Sequence, residues 1–211
     1  MNKKRIVCYG DSNTWGYNAE TGLRFPDDIR WTQRLAERLG PDYQICEEGL
    51  SGRTSVFTDP LFEGLSGLAH LAPILGSHNP TDLLIVMLGT NDCKQRFNAT
   101  GQNIADGIRR LVQKAQSLAV WRNVPQVLIV APILIGQEIY TVPRINEDMG
   151  AGCAEKSWQL PALLQATATE CNCAYLDANA VVTANTVDYM HFDRASCSRF
   201  SDYLADTSMR P

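Results

Sequence analysis

Long apolar runs are missing from this 211-residue chain. No stretch approaches the ~20 consecutive apolar residues that a membrane-spanning helix needs, so no membrane partner is expected. The apolar segment Ile6-Val7-Cys8-Tyr9 behind the basic start Lys3-Lys4-Arg5 stops at Gly10-Asp11, too soon for the core of a secretion signal. Positive charge is scarce as well. Nineteen Lys and Arg stand against 23 Asp and Glu, a net charge of −4, with no basic cluster beyond residues 3–5. That argues against nucleic acid as a partner. The seven cysteines (8, 46, 93, 153, 171, 173, 197) are odd in number and contain no C-x-x-C pair, unlike a secreted disulfide scaffold or a zinc ribbon. Reduced thiols in a cytoplasm are the expectation. Histidine occurs three times, without H-E-x-x-H, so no metal is expected. G-x-G-x-x-G and G-x-x-x-x-G-K-[ST] are absent, which leaves phosphate cradling without its usual loop. G-x-S-x-G is absent too, against an α/β-hydrolase elbow.

What is present is an alternation of strand-like and helix-like blocks. Ile6–Tyr9, Tyr43–Cys46, Leu83–Leu88, Val127–Ala131 and Ala174–Leu176 read as strands. Trp31, Leu35 and Leu39 recur at helical spacing and end at Gly40-Pro41. Thr100 can cap a helix whose stripe is Ile104, Ile108, Leu111, Val112 and Ala115. Glu155–Thr169 reads as helical, with Pro161 expected to start, kink or divide it. A last helix is placed around Ala195–Ala205. This rhythm predicts one α/β domain over residues 1–211, a three-layer αβα sandwich on a mostly parallel five-stranded sheet of flavodoxin-like type. Two Gly- and Pro-bearing stretches, Thr54–Asn79 and Ile133–Gly152, break it and are expected to be functional loops.

Four polar motifs follow predicted strand ends, where open α/β sheets place their sites. They are Gly10-Asp11-Ser12, Gly49-Leu50-Ser51-Gly52, Gly89-Thr90-Asn91-Asp92 and Asp188-Tyr189-Met190-His191. Acyl transfer through a hydroxyl needs a base, a carboxylate to orient that base, and donors for the oxyanion. Ser12 precedes a helix, and His191 alone among the histidines has a carboxylate, Asp188, three residues earlier. The backbone N–H groups of Ser12 and Gly52 and the side-chain amide of Asn91 are the natural oxyanion donors. Asp11 is expected to brace the turn rather than react, and is counted with the substrate-binding residues. Arg53 reads as a solvated charge or an entrance residue.

Taken together, these four blocks resemble, in order, those that name the SGNH (GDSL-type) hydrolases. Arg5–Gly16, Arg30-Trp31-Thr32, Glu47–Thr54, Met87–Asp92 with Lys94, and His191-Phe192 resemble most closely the bacterial arylesterase and acyltransferase branch. The resemblance implies hydrolysis of short acyl esters, with some acyl transfer to alcohols or peroxide. It implies Ser12 as nucleophile, His191 as acid and base, Asp188 as its orienter, and Ser12, Gly52 and Asn91 as the oxyanion hole. It also places Trp15, Thr90, Lys94 and Met190 along the acyl pocket or its entrance. A small-molecule ester would be the partner, no cofactor would be needed, and homo-oligomers from dimer to octamer are implied. Asn13 stands where the family often has leucine, a change expected to leave the triad intact. A carbohydrate acetylesterase using the same triad, and a non-catalytic flavodoxin-like binding module, are the competing readings.

Overall fold

Residues 3–208 are described in a computed structural model of the chain. Five strands form one sheet: β1 (Lys4–Gly10), β2 (Tyr43–Gly49), β3 (Leu83–Met87), β4 (Val127–Ala131) and β5 (Ala174–Asp177). Their spatial order is β2-β1-β3-β4-β5, and every pairing is parallel. The expected "mostly parallel" sheet is therefore wholly parallel. Parallel neighbours require crossovers, and the helices supply them on both faces.

Strand parity sorts the side chains between two cores. Val7, Tyr9, Leu84, Val86, Val127 and Ile129 face one layer. They meet Leu71 and Leu75 of α3 (Gly67–Ser77), the Ile104/Ile108/Leu111 stripe of α4 (Gly101–Ser117), and Leu160 and Leu164 of α6 (Cys153–Glu170). Ile6, Cys8, Ile85, Met87, Leu128 and Val130 face the other layer. There they pack on Trp31 and Leu35 of α2 (Trp31–Leu39) and on Phe200 and Leu204 of α7 (Arg194–Ser208). Burying such a side chain is worth about 1.5–3 kcal/mol each, which is why the central strands read as unbroken apolar runs. Thr100 caps α4 through a reciprocal capping box with Asn103.

Two expectations need correction and a third is narrowed. Pro161 neither starts nor divides its helix but lies inside α6. Burial of Leu160, Leu164 and Ala168 against the sheet outweighs the hydrogen bond that proline cannot donate. The stretch Thr54–Asn79 contains α3, which Pro73, Gly67 and Gly76 disguise in the sequence. Ile133–Gly152 likewise carries a 3-10 turn at Gln137–Thr141 and the short helix α5 (Pro143–Met149), which begins on its proline.

No described helix is long and apolar enough to cross a membrane. All seven cysteines are free, and only Cys173 is not buried.

Candidate active site

The four motifs meet at the carboxyl edge of the sheet. β1 ends at Gly10, and the chain turns at once into α1 (Ser12–Trp15), whose cap is Asp11: its Oδ1 accepts the Asn13 N–H at 3.0 Å. Gly10 is required by close approach. A Cβ there would lie 2.7 Å from Thr14 Cβ and 2.9 Å from the Met87 carbonyl of β3. At the next strand end Gly52 adopts φ +86, a left-handed conformation open to glycine at little cost.

Ser12 and His191 lie 179 residues apart in sequence, yet Ser12 Oγ stands 2.8 Å from His191 Nε2. His191 Nδ1 stands 2.6 Å from Asp188 Oδ2. All three residues are at most 5% exposed. Burial alone would raise the Asp188 carboxyl. The hydrogen bond and charge of His191, the Met190 N–H and the Asn185 amide outweigh it and hold the group below the usual carboxylate range. An ionised carboxylate can only accept, so Nδ1 carries the imidazole proton and Nε2 is left to accept from the serine hydroxyl. The loop is braced from within. Asp188 Oδ1 accepts from the N–H groups of Met190 and His191 and from Asn185 Nδ2, while Asn185 Nδ2 also donates to the His191 carbonyl. Tyr189 holds φ +61, and its carbonyl accepts the Gly136 N–H at 2.8 Å, which ties the Ile133–Gly152 stretch to the site.

A cavity of about 510 Å³ opens over these groups, lined among others by Ser12, Gly52, Asn91, Lys94, Met190 and His191. Asn91 Nδ2 donates one of its two N–H groups to the Arg53 carbonyl at 3.1 Å, which fixes the amide plane. Its turn is anchored by Asp92, whose carboxylate accepts from the Ser55 N–H and hydroxyl. Lys94 lines the cavity in an ion pair with Asp148 at 3.0 Å.

Some sequence-derived assignments do not reach the cavity. Trp15 is not among its lining residues; it packs against the Arg24 guanidinium instead. Thr90 and Asp11 are buried behind it rather than along its wall. Arg53 is neither solvated nor at the entrance. It is 4% exposed, lies over the Tyr9 ring at 4.2 Å, and donates to the carbonyls of Gly10 and Glu48. Sequence reasoning also missed Tyr17, which lines the cavity with its ring 4.6 Å from that of His191. No spacing rule marks it; the only hint is its place just after Gly16, which turns the chain at φ +91. The apolar wall of Leu65, Ile145 and Met149 comes from the two stretches read as loops. A larger cavity of about 700 Å³, bounded by Asn18, Arg34, Phe192 and Arg194, does not include Ser12.

Asp11 makes one prediction directly. Burial pushes its carboxyl up to about 6 despite the Asn13 N–H, the His191 and Arg53 charges and the neighbouring Thr90 hydroxyl. Between an ordinary carboxylate pKa and that value, the fold binds more protons here than the unfolded chain does. This residue's contribution to stability therefore falls as pH rises from about 4 to about 6. Asn at this position keeps the capping oxygen and removes the charge. The melting temperature of Asp11→Asn relative to the parent should climb across that range and then level off; a pH-independent difference would contradict the assignment.

The chain belongs to the GDSL-like lipase/acylhydrolase family, whose model matches residues 8–205, and it is a carboxylic ester hydrolase with the SGNH fold. No curated protein sequence matches it. Among solved structures it is similar to an aryl esterase from M. smegmatis, at 35% identity over 98% of both chains with a TM-score of 0.89. It is equally similar to a carbohydrate acetylesterase from Sinorhizobium meliloti, at 36% identity over 98% of this chain and 99% of that one, TM-score 0.91. A lipolytic protein of the G-D-S-L family from Veillonella parvula shares the fold at 15% identity and a TM-score of 0.71, over 99% and 100% of the two chains.

Proposed function

We propose that the chain is a serine esterase acting on short acyl esters, acetyl or aryl, through an acyl-serine intermediate. The observation that carries this reading is the continuous relay from Ser12 Oγ through His191 to Asp188, at 2.8 and 2.6 Å, beside Gly52 and Asn91. Ser12 Oγ attacks the ester carbonyl carbon as its proton passes to His191 Nε2. The Ser12 and Gly52 N–H groups and the free Asn91 N–H receive the oxyanion. Collapse breaks the bond to the alcohol oxygen, which takes the proton from His191. Water repeats the sequence on the acyl-enzyme and restores the serine. An alcohol or peroxide in place of water would turn hydrolysis into acyl transfer, the proposed side activity.

Asn91 is the sharpest test of the oxyanion assignment. Because the oxyanion exists only near the transition state, Asn91→Ala should lower kcat by about 10²–10³-fold with KM little changed. A change confined to KM would make Asn91 a binding residue.

Leu65, Ile145, Met149 and Met190 give the cavity apolar walls, while Glu63 and the Lys94–Asp148 pair make it polar in part. Similarity to the S. meliloti carbohydrate acetylesterase, equal to that toward the aryl esterase, supports a second reading in which the leaving alcohol is a sugar. Labelling with a fluorophosphonate, mapped by mass spectrometry, followed by rates on p-nitrophenyl acetate and an acetylated xylo-oligosaccharide, tests both. Modification anywhere but Ser12 would defeat the mechanism, and the ratio of rates decides between the alcohols.

A further inference from the structure

The loop that carries the base is rigid within itself, so something else must set where it sits relative to the nucleophile. Asp188, Asn185 and the backbone of residues 188–191 hold one another through local hydrogen bonds, and those bonds fix the distance from the imidazole to the carboxylate. None of them reaches Ser12. The connection across the 179-residue gap is made by the residue next to the serine. Asn13 Nδ2 donates to the Met190 carbonyl at 3.2 Å, and Asn13 Oδ1 accepts the Phe192 N–H at 2.9 Å. One side-chain amide thus grips the main chain on both sides of His191.

We infer that Asn13 is the positioning residue that docks the His191 loop onto Ser12, setting the serine–imidazole distance independently of the imidazole–carboxylate distance. This rests on the proposed triad and adds to it the part that aligns its two halves. Asn13 is itself immobilised. It is 4% exposed, its N–H is held by Asp11 Oδ1, and its carbonyl accepts the indole N–H of the fully buried Trp31 at 3.0 Å. The Gly136 N–H on the Tyr189 carbonyl and the Tyr17 ring against His191 also hold the loop, but only the two Asn13 bonds tie its main chain to the residue beside the serine. A leucine of similar size would fill the space but satisfy neither Met190 O nor Phe192 N–H, and buried backbone groups without partners drive local rearrangement. Displacing a reacting group by about 1 Å can cost on the order of 10²-fold in rate. Losing both bonds is therefore expected to act on the chemical step. It should leave substrate binding and the Asp188–His191 contact in place.

The test compares Asn13→Leu and Asn13→Asp with the parent enzyme. Asp keeps an acceptor for the Phe192 N–H but sets an oxygen against the Met190 carbonyl. For Asn13→Leu, kcat on p-nitrophenyl acetate and the second-order rate of fluorophosphonate labelling at Ser12 should both fall about 10–100-fold. KM should stay within about threefold, and the acidic limb of the kcat/KM profile should keep its midpoint, because the Asp188–His191 contact is untouched. Asn13→Asp should fall between the two and remain measurable should the leucine variant fail to fold. Parent-like kcat and labelling in either folded variant would overturn the inference. So would a shifted acidic limb in Asn13→Leu, which adds no charge; that would mean that Asn13 acts on the imidazole–carboxylate pair. Absence of labelling at Ser12 in the parent enzyme would instead overturn the triad itself, so the two failures are told apart.

Discussion

Ser12→Ala should abolish ester hydrolysis and leave the protein folded. The Ser12 hydroxyl points at His191 Nε2, and the deletion removes one oxygen from a residue already nearly out of solvent. The turn that presents it is held by Asp11 Oδ1 and by close packing at Gly10, neither of which involves Ser12 Oγ. What is lost is the proposed nucleophile. In serine hydrolases with this relay the expected fall in kcat is on the order of 10⁴–10⁶-fold, the residue of activity over water coming from the oxyanion donors. Hydrolysis of p-nitrophenyl acetate, with circular dichroism and a thermal melt as controls, measures it. Activity within about tenfold of the parent would remove Ser12 from the mechanism.

For His191→Ala a loss of similar size is expected, for a different reason: the hydroxyl remains but no group takes its proton or returns one to the leaving alcohol. The informative measurement is the double variant. Residues that act as one unit lose their effect together, so Ser12→Ala/His191→Ala should be no slower than either single variant. Multiplied losses would mean that serine and histidine serve separate steps. The His191 loop keeps its Asp188 and Asn185 bonds to main-chain N–H groups in the variant, so a folding defect is not the expected cause of inactivity.

Both predictions concern residues that sequence alone could nominate, and the reason is physical. Short polar motifs at strand ends are legible because a parallel sheet gathers its carboxyl ends on one edge, whatever the intervening chain does. The strands were legible because burial on both faces makes them continuous apolar runs, and α4 because its stripe and its Thr100 cap agree. Where local propensity and tertiary burial pull apart, the reading failed. α3 hides behind two glycines and a proline, whereas Pro161 only left the course of α6 open. The cavity wall was illegible for the same reason. Ile145, Met149 and Leu65 lie in segments without clear periodicity, and only the tertiary arrangement brings them over the serine. Trp15 shows the opposite error: an aromatic residue beside the nucleophile in sequence, yet packed against Arg24 outside the cavity. Asn13 was legible as a departure from the family's usual leucine, but its partners at Met190 and Phe192 were not, because nothing in the sequence links residue 13 to a loop near the other end.

That separation also governs when the enzyme can first work. A ribosome delivers the serine at the tip of β1, one strand in from the edge of the sheet, and delivers the imidazole 179 residues later. At roughly 5–20 residues per second the proposed nucleophile waits on the order of ten seconds or more for its proposed base. Nascent chains arrested short of residue 191 should therefore be silent toward esters, however much of the sheet they have built.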